Sequence, residues 1–324
     1  MTTRRSFLDA SAAAALLATG IPALAAAWPS QPLRIVVAFP AGGTSDVIAR
    51  LISKPLGDAL GVAILVDNRT GAAGMVGAAA VASATDGHTV LLSDLGSLAI
   101  APLITKDLLF KPEALQGVSL LAYSPHLLVV HPSVAANNLK ELVALSQRSP
   151  INVASAGSGT PNHLGVLDIA LSTGMKWQHV PYRGGAQALN DTVAGTTQAM
   201  LNGMVATYPQ VTAGRLKLIG VSKRTRMTLI GDVPTPAEQG AKDFESGTYQ
   251  GVMAPAGMPR ANVDRLNAAL VEVVRAPDIR ARLIELGAEI MTSSARETSD
   301  FITQDRKRWA SVLQRAGNQV EGTR

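Results

Sequence analysis

The chain has 324 residues, of which 47% are hydrophobic and 16% charged, with a formal net charge of +5 and no cysteine. This composition excludes a disordered chain and suits a compact α/β protein with an aliphatic core. The lack of cysteine excludes a disulfide framework, thiolate metal sites and cysteine nucleophiles.

The chain starts with an export signal. Thr3-Arg4-Arg5-Ser6-Phe7-Leu8 resembles the twin-arginine motif, and an Ala/Leu run from Ala10 to Leu24 follows it. Small-residue cleavage sites stand at Ala23-Leu24-Ala25 or Ala25-Ala26-Ala27. Charged, apolar and cleavage regions in this order predict a signal peptide over residues 1–27, removed on export to the periplasm. The apolar run is too short and too alanine-rich for a good membrane span.

The next elements alternate. Leu33–Phe39 reads as a buried strand, and Thr44 to Leu60 as a helix with Thr44 or Ser45 as its N-cap and Gly61 closing it. Ala63–Asp67 is a second strand, a glycine turn and small-residue helix reach to about Asp86, and Thr89–Ser93 is a third strand. The β-α-β-α-β order with short connections predicts a parallel, doubly wound sheet. Leu120–Tyr123 and Leu127–Val130 read as two strands separated by Ser124-Pro125.

The same grammar then repeats. It runs through a helix at Leu139–Ser149, a strand at Ile151–Ser155, a helix from about Asn162 to Thr173, and a strand and turn in "WQHVPYRGG". A helix at Ala186–Ala194 and strands at Gln198–Asn202 and Leu216–Val221 follow, with a short helix between the last two. Beyond Pro236, "GTYQGVMAPAG" is extended. The rest is amphipathic helix, with Val263, Leu266, Leu270 and Val273 at helical spacing. Two α/β lobes follow from this pattern, the first completed by returning C-terminal chain.

Two loops share one design. Pro40–Asp46 and Gly157–His163 each follow a strand, offer hydroxyls and glycine N–H groups, and open a helix. Helix N-termini carry partial positive charge and unpaired donors, so the pair can clamp a carboxylate. Ordinary helix capping explains each loop equally well. Asp46, in the first helical turn, reads first as a partner of the helix dipole and second as a contact for a ligand amino group.

Other chemistries lack their residues. Gly71-Ala72-Ala73-Gly74-Met75-Val76-Gly77 has GxxGxxG spacing where a dinucleotide loop needs GxGxxG. Ser158 is not in a nucleophile elbow, because residue 156 is alanine. The five histidines form no HxxxH or HExxH pair, so no metal site is expected. Neither Lys223–Arg226 nor Arg306–Arg308 is interleaved with aromatics, so no nucleic-acid partner is expected. No cofactor and no catalytic set are expected either.

In order along the chain stand "PLRIVVAFPAGGTSDVIARLI", "VDNRTGAAGMVGAAAVA", "DGHTVLL", "ASAGSGTPNHL", "VPYRGGAQALNDTVAG" and "GVMAPAGMP". With the export signal, they resemble the Bug family, the TctC-type solute-binding proteins of tripartite tricarboxylate transporters, from about Trp28 to Ala316. The resemblance implies a type II periplasmic binding protein with two doubly wound α/β lobes. Their expected extents are residues 28–130 plus 245–324 and residues 131–244. It also implies a monomer that closes on a small organic acid or amino acid and delivers it to a membrane permease of one large and one small subunit.

The resemblance places ligand contacts at Phe39, Ala41, Gly42, Gly43, Thr44 and Asp46, and at Gly157, Ser158, Gly159, Thr160, Asn162 and His163. Tyr182, Gly184 and Asn202 add to them from the second lobe. The segment after the third strand departs from the family pattern. Ser93-Asp94-Leu95-Gly96-Ser97 brings a carboxylate, so Asp94, with Ser97 beside it, either reads a cationic group on the ligand or caps a following helix. Tyr249 stands where small and aromatic residues are common. A sensor subunit for a membrane kinase and a secreted hydrolase are the rival readings.

Overall fold

The computed structural model describes residues 28–317. The predicted signal peptide lies outside the described residues.

The first lobe opens with β1 (Leu33–Val37), α1 (Thr44–Leu60), β2 (Ile64–Asn68), α2 (Met75–Ala82), β3 (Thr89–Asp94) and α3 (Leu95–Ile104). β1 pairs in parallel with β2 and β3. The sequence reading assigned α3 only as one alternative after Asp94. Its residues are apolar on every side, with Leu95 to Ala101 all buried, so no amphipathic period marks it.

β4 (Leu115–Val130) corrects the reading of two short strands. Residues Leu115 to Pro125 pair antiparallel with β9 (Gly247–Pro255), whereas His126 to Val130 pair with β7 (Ala199–Gly203). Pro125 marks the changeover between the two partners. Proline is tolerated in strands at such irregular positions because it cannot donate to a ladder.

The second lobe contains α4 (Leu139–Ser146), β5 (Ile151–Ser155), α5 (Pro161–Thr173), β6 (Trp177–Pro181), α6 (Gly185–Val193), β7, α7 (Met204–Thr212) and β8 (Lys217–Val221). β5 pairs in parallel with β6 and β7. Each lobe therefore has a parallel outer part, but the middle of the sheet is antiparallel, and the strand order is β2-β1-β3-β9-β4-β7-β5-β6. The β-α-β units are parallel as the pattern predicts, and the antiparallel pairs come from β4 and β9. The returning strand β9 enters between β3 and β4.

After β9 come α8 (Arg260–Arg275), α9 (Pro277–Glu285), β10 (Glu289–Ile290) and α10 (Ala295–Arg315). α10 starts with a capping box of Ser294 and Glu297. Its apolar side, Trp309, Val312 and Leu313, packs with Ile100 of α3 and Leu164 of α5. Arg315 also lies 2.9 Å from Asp168 on α5. One helix thus bridges both lobes. The two chain crossovers run side by side: His126 N–H donates to Ser246 O at 3.0 Å, and Ser222 N–H donates to His126 O at 2.8 Å.

Candidate functional site

The carboxyl ends of β1, β3, β5, β6 and β7 all open toward the seam between the lobes, where ligands of open α/β sheets bind. Three helices begin at this seam on N-cap residues that supply no side-chain cap of their own, although Val205 N–H in the first turn of α7 donates to Ser124 Oγ at 3.2 Å. Their N-caps are Gly43 for α1, Gly184 for α6 and Gly203 for α7. The expected caps Thr44 and Ser45 are corrected to Gly43. Ser45 instead donates to Gln250 at 2.7 Å inside the protein.

These three N-termini converge. Pro40 packs directly on Gly184, so that a Cβ there would fall well inside van der Waals contact. A Cβ on Gly203 would lie 2.6 Å from Thr44 Oγ1 and 3.3 Å from the hydroxyls of Ser124 and Thr248. Gly42 faces Ala186. α1 belongs to one lobe and α6 and α7 to the other. Their positive ends therefore meet across the seam.

Asp46 shapes the first loop. Its carboxylate accepts from Gly42 N–H at 2.9 Å, from Arg50 Nε at 2.9 and 3.0 Å, and from Asn68 Nδ2 at 2.9 Å. Burial pushes its pKa up, but these donors outweigh that and hold it below the usual carboxylate range. Asn68 also donates to Phe39 O at 3.0 Å. The group thus ties β2 to the loop, in keeping with a structural role. Phe39 is buried with its ring against Gly74, and Ala41 and Gly42 are exposed.

The second loop differs from the first. Gly157 N–H donates to Ser155 Oγ at 3.1 Å, and Gly159 N–H donates to His163 Nδ1 at 3.1 Å. Thr160 caps α5 by accepting from His163 N–H. The backbone donors expected to face an anion are taken by the loop's own side chains. His163 stacks on His179 at 3.8 Å between ring centroids, and His179 Nε2 lies 2.6 Å from Ser155 Oγ. Burial lowers the His163 pKa to about 3, with His179 adding to the effect, and lowers that of His179 to about 4. Both rings are neutral at physiological pH and act as fixed struts. Positive φ at Gly157 and Gly159 explains the glycines.

Beside the convergence point lies a cavity of about 890 Å³. Its walls include Ser97, Lys106, Gly157, Ser158, Gly159, Tyr182 and Arg183. Tyr182 OH donates to Asp191 at 2.7 Å, which fixes the ring. Gly71, Ala72 and Ala73 form part of the wall, and both alanines have positive φ, at 46° and 53°. Strained backbone of this kind persists where a site over-determines it. The sequence reading had set this glycine segment aside after rejecting it as a dinucleotide loop.

Asp94 is buried and caps α3. It accepts from Gly96 N–H at 3.1 Å and Tyr249 N–H at 3.1 Å, and Ser97 Oγ lies 3.5 Å away. Burial and the nearby Asp305 carboxylate push its pKa up to about 7 against these hydrogen bonds. The capping alternative is the one the geometry realises. The ring of Tyr249 packs between Tyr123 and Phe301, with centroids at 4.6 and 4.5 Å, within the first lobe's core. Asn162 Nδ2 donates to Asn202 Oδ1 at 3.1 Å, and Asn202 Nδ2 donates to Thr207 at 3.0 Å. Asn202 at the end of β7 thus ties the start of α5 to α7.

A two-lobed α/β fold with uncapped helix N-termini meeting across its seam defines a periplasmic solute-binding protein. The chain belongs to the tripartite tricarboxylate transporter family receptors, the TctC family, whose model matches residues 48–318. Protein BugT of Bordetella pertussis is 32% identical over 305 residues, covering 93% of this chain and 94% of that protein. The R. palustris protein Rpa4515, solved with adipate, superposes with a TM-score of 0.86 at 28% identity, covering 90% of this chain and 98% of that one. MatC from Rhodopseudomonas palustris, solved with bound malate, gives 0.82 at 29% identity, covering 88% and 100%. The periplasmic binding protein BugD also superposes, with a TM-score of 0.85 at 30% identity, covering 90% of this chain and 99% of that one. Among the described residues no helix is long and apolar enough to cross a membrane.

Proposed function

We propose that this protein is the extracytoplasmic receptor of a tripartite tricarboxylate-type permease of one large and one small subunit. After export by its twin-arginine signal, residues 28–130 and 245–324 form one lobe and residues 131–244 the other. The lobes close on a small carboxylate at the meeting point of α1, α6 and α7. The observation that carries this reading is the convergence of three glycine-led N-termini from both lobes, of which those of α1 and α6 meet no side-chain cap.

Charge-assisted hydrogen bonds from backbone N–H groups are stronger than neutral ones and need no side-chain charge. They hold a carboxylate while Asp46, Asn68 and the His163–His179 stack keep the loops in shape. Lys106 and Arg183 both line the cavity wall and outnumber Asp107, which suits a second carboxylate on the same ligand. Adipate and malate, bound by two structural neighbours, both carry two carboxylates, so small dicarboxylates lead the panel of candidate ligands.

Uptake in cells tests the role. Deleting the gene is expected to abolish uptake of the bound acid, and wild-type protein, but not Gly43→Asp, to restore it. Unchanged uptake in the deletion strain would refute the transport role.

A further inference from the structure

The first lobe contains a second cavity, of about 310 Å³, separate from the seam. Leu98, Phe110, Leu115, Met253 and Ile302 give it apolar walls. Arg306 of α10 also lines it, and the Nε of Arg306 is buried with no hydrogen-bond partner. Glu113 stands on the same wall system. We infer that this cavity is a second small-molecule site, taking a monocarboxylate with a compact apolar body.

The chemistry follows from the lining. A guanidinium stays charged in proteins and presents Nε–H and Nη–H as a planar fork that matches a carboxylate. A buried Nε–H without an acceptor is unfavourable, and a small rotation of the Arg306 side chain toward a ligand oxygen removes that deficit. Ser299 and Thr303 also line the cavity, but their hydroxyls donate to Ala295 O and Ser299 O at 3.2 and 3.3 Å within α10, so the body of the ligand meets mostly apolar wall and is hydrocarbon or a single ring. The volume sits at the low end for small-molecule sites. The Glu113 carboxylate repels a second negative group, and among the described residues Arg306 is the one cation on this lining, so the cavity suits a single carboxylate. Met75, Ala101 and Leu108 line both cavities, so an occupant of one presses on the wall of the other.

Methyl NMR on methionine-labelled protein tests the site, because Met253 lines this cavity and not the seam. Titration with benzoate is expected to shift the Met253 methyl saturably, and benzyl alcohol to do so at least tenfold more weakly. Arg306→Met is expected to weaken benzoate at least tenfold, and Arg306→Lys to fall between the two. Gly43→Asp, which targets the seam, is expected to leave the Met253 response intact, so failure at one site is told from failure at the other. A Met253 methyl that stays still up to about 10 mM benzoate, weaker than any specific affinity of interest, would overturn the inference. Equal affinity in Arg306→Met would overturn it as well.

Discussion

Pro40 of the first lobe rests on the bare Cα of Gly184 in the second, so closely that no side chain fits between them. The backbone of Gly184 is extended, at φ 170° and ψ 167°, and demands no glycine by itself. The residue is small because the lobes meet there.

Gly184→Ala therefore tests lobe closure. An added Cβ must push Pro40 aside, and overpacking of this kind costs about 1–3 kcal/mol. If the lobes part in the free protein, the cost falls on the liganded form alone. Calorimetry is expected to show ligand affinity lowered roughly tenfold or more, with the melting temperature of the free protein unchanged. A lower melting temperature with unchanged affinity would mean that the lobes do not separate.

Asp94→Asn tests the buried cap. The folded pKa of Asp94 is raised from 3.8 to about 7. Its favourable protonated state is thus fully available below pH 3.8 and is lost as the pH rises through about 7. Asparagine caps helices as well as aspartate and carries no charge. Asp94→Asn is expected to melt at nearly the wild-type temperature at pH 4 and above it at pH 8, by an amount worth about 1–4 kcal/mol. Equal melting temperatures at both values would show that Asp94 is solvated or paired when ionised.

Asp46→Ala tests the loop brace. The substitution leaves Gly42 N–H, Arg50 and Asn68 without their acceptor, at a cost of about 2 kcal/mol in stability. Because the folded pKa is depressed below 3.8, the contribution is present above that value and lost as the pH falls through the folded pKa. The gap between wild type and variant, followed by urea unfolding, is expected to be full at pH 7 and to narrow below pH 4. A gap independent of pH would assign the loss to packing instead.

Much of the fold was legible from local pattern. α1 was read over its full extent, Thr44–Leu60, because Gly61 supplies the left-handed closing residue, with φ 75°. β5 was likewise read in full, from five apolar-rich residues bounded by turn signals. The long strand β4 was not, because Pro125 looks like a breaker and its tolerance depends on two different partners on either side. α3 was obscured because a helix buried all round carries no period.

The site was legible only in part. The sequence marked Pro40–Asp46 and the family resemblance added Tyr182, Gly184 and Asn202; Pro40 packs on Gly184, and Asn202 lies against Gly185. It could not tell that the N–H groups of Gly157 and Gly159 are taken by Ser155 and His163, since such bonds depend on side-chain direction. Nor could it tell which loops meet. Pro40 and Gly184 are 144 positions apart, and only the tertiary arrangement joins them.

The most direct test of the central claim is titration calorimetry on residues 28–324, refolded to strip carried-over ligand, against mono-, di- and tricarboxylates and amino acids. One class of small carboxylate is expected to bind the wild type selectively. Gly43→Asp is expected to abolish that binding while the variant stays folded. Gly43 has φ −78° and ψ 168°, which any residue adopts, and an aspartate there caps α1 in place of the ligand, raising stability by a few tenths of a kcal/mol. Wild-type affinity in a folded Gly43→Asp variant would contradict the account and move the ligand away from the seam of α1, α6 and α7.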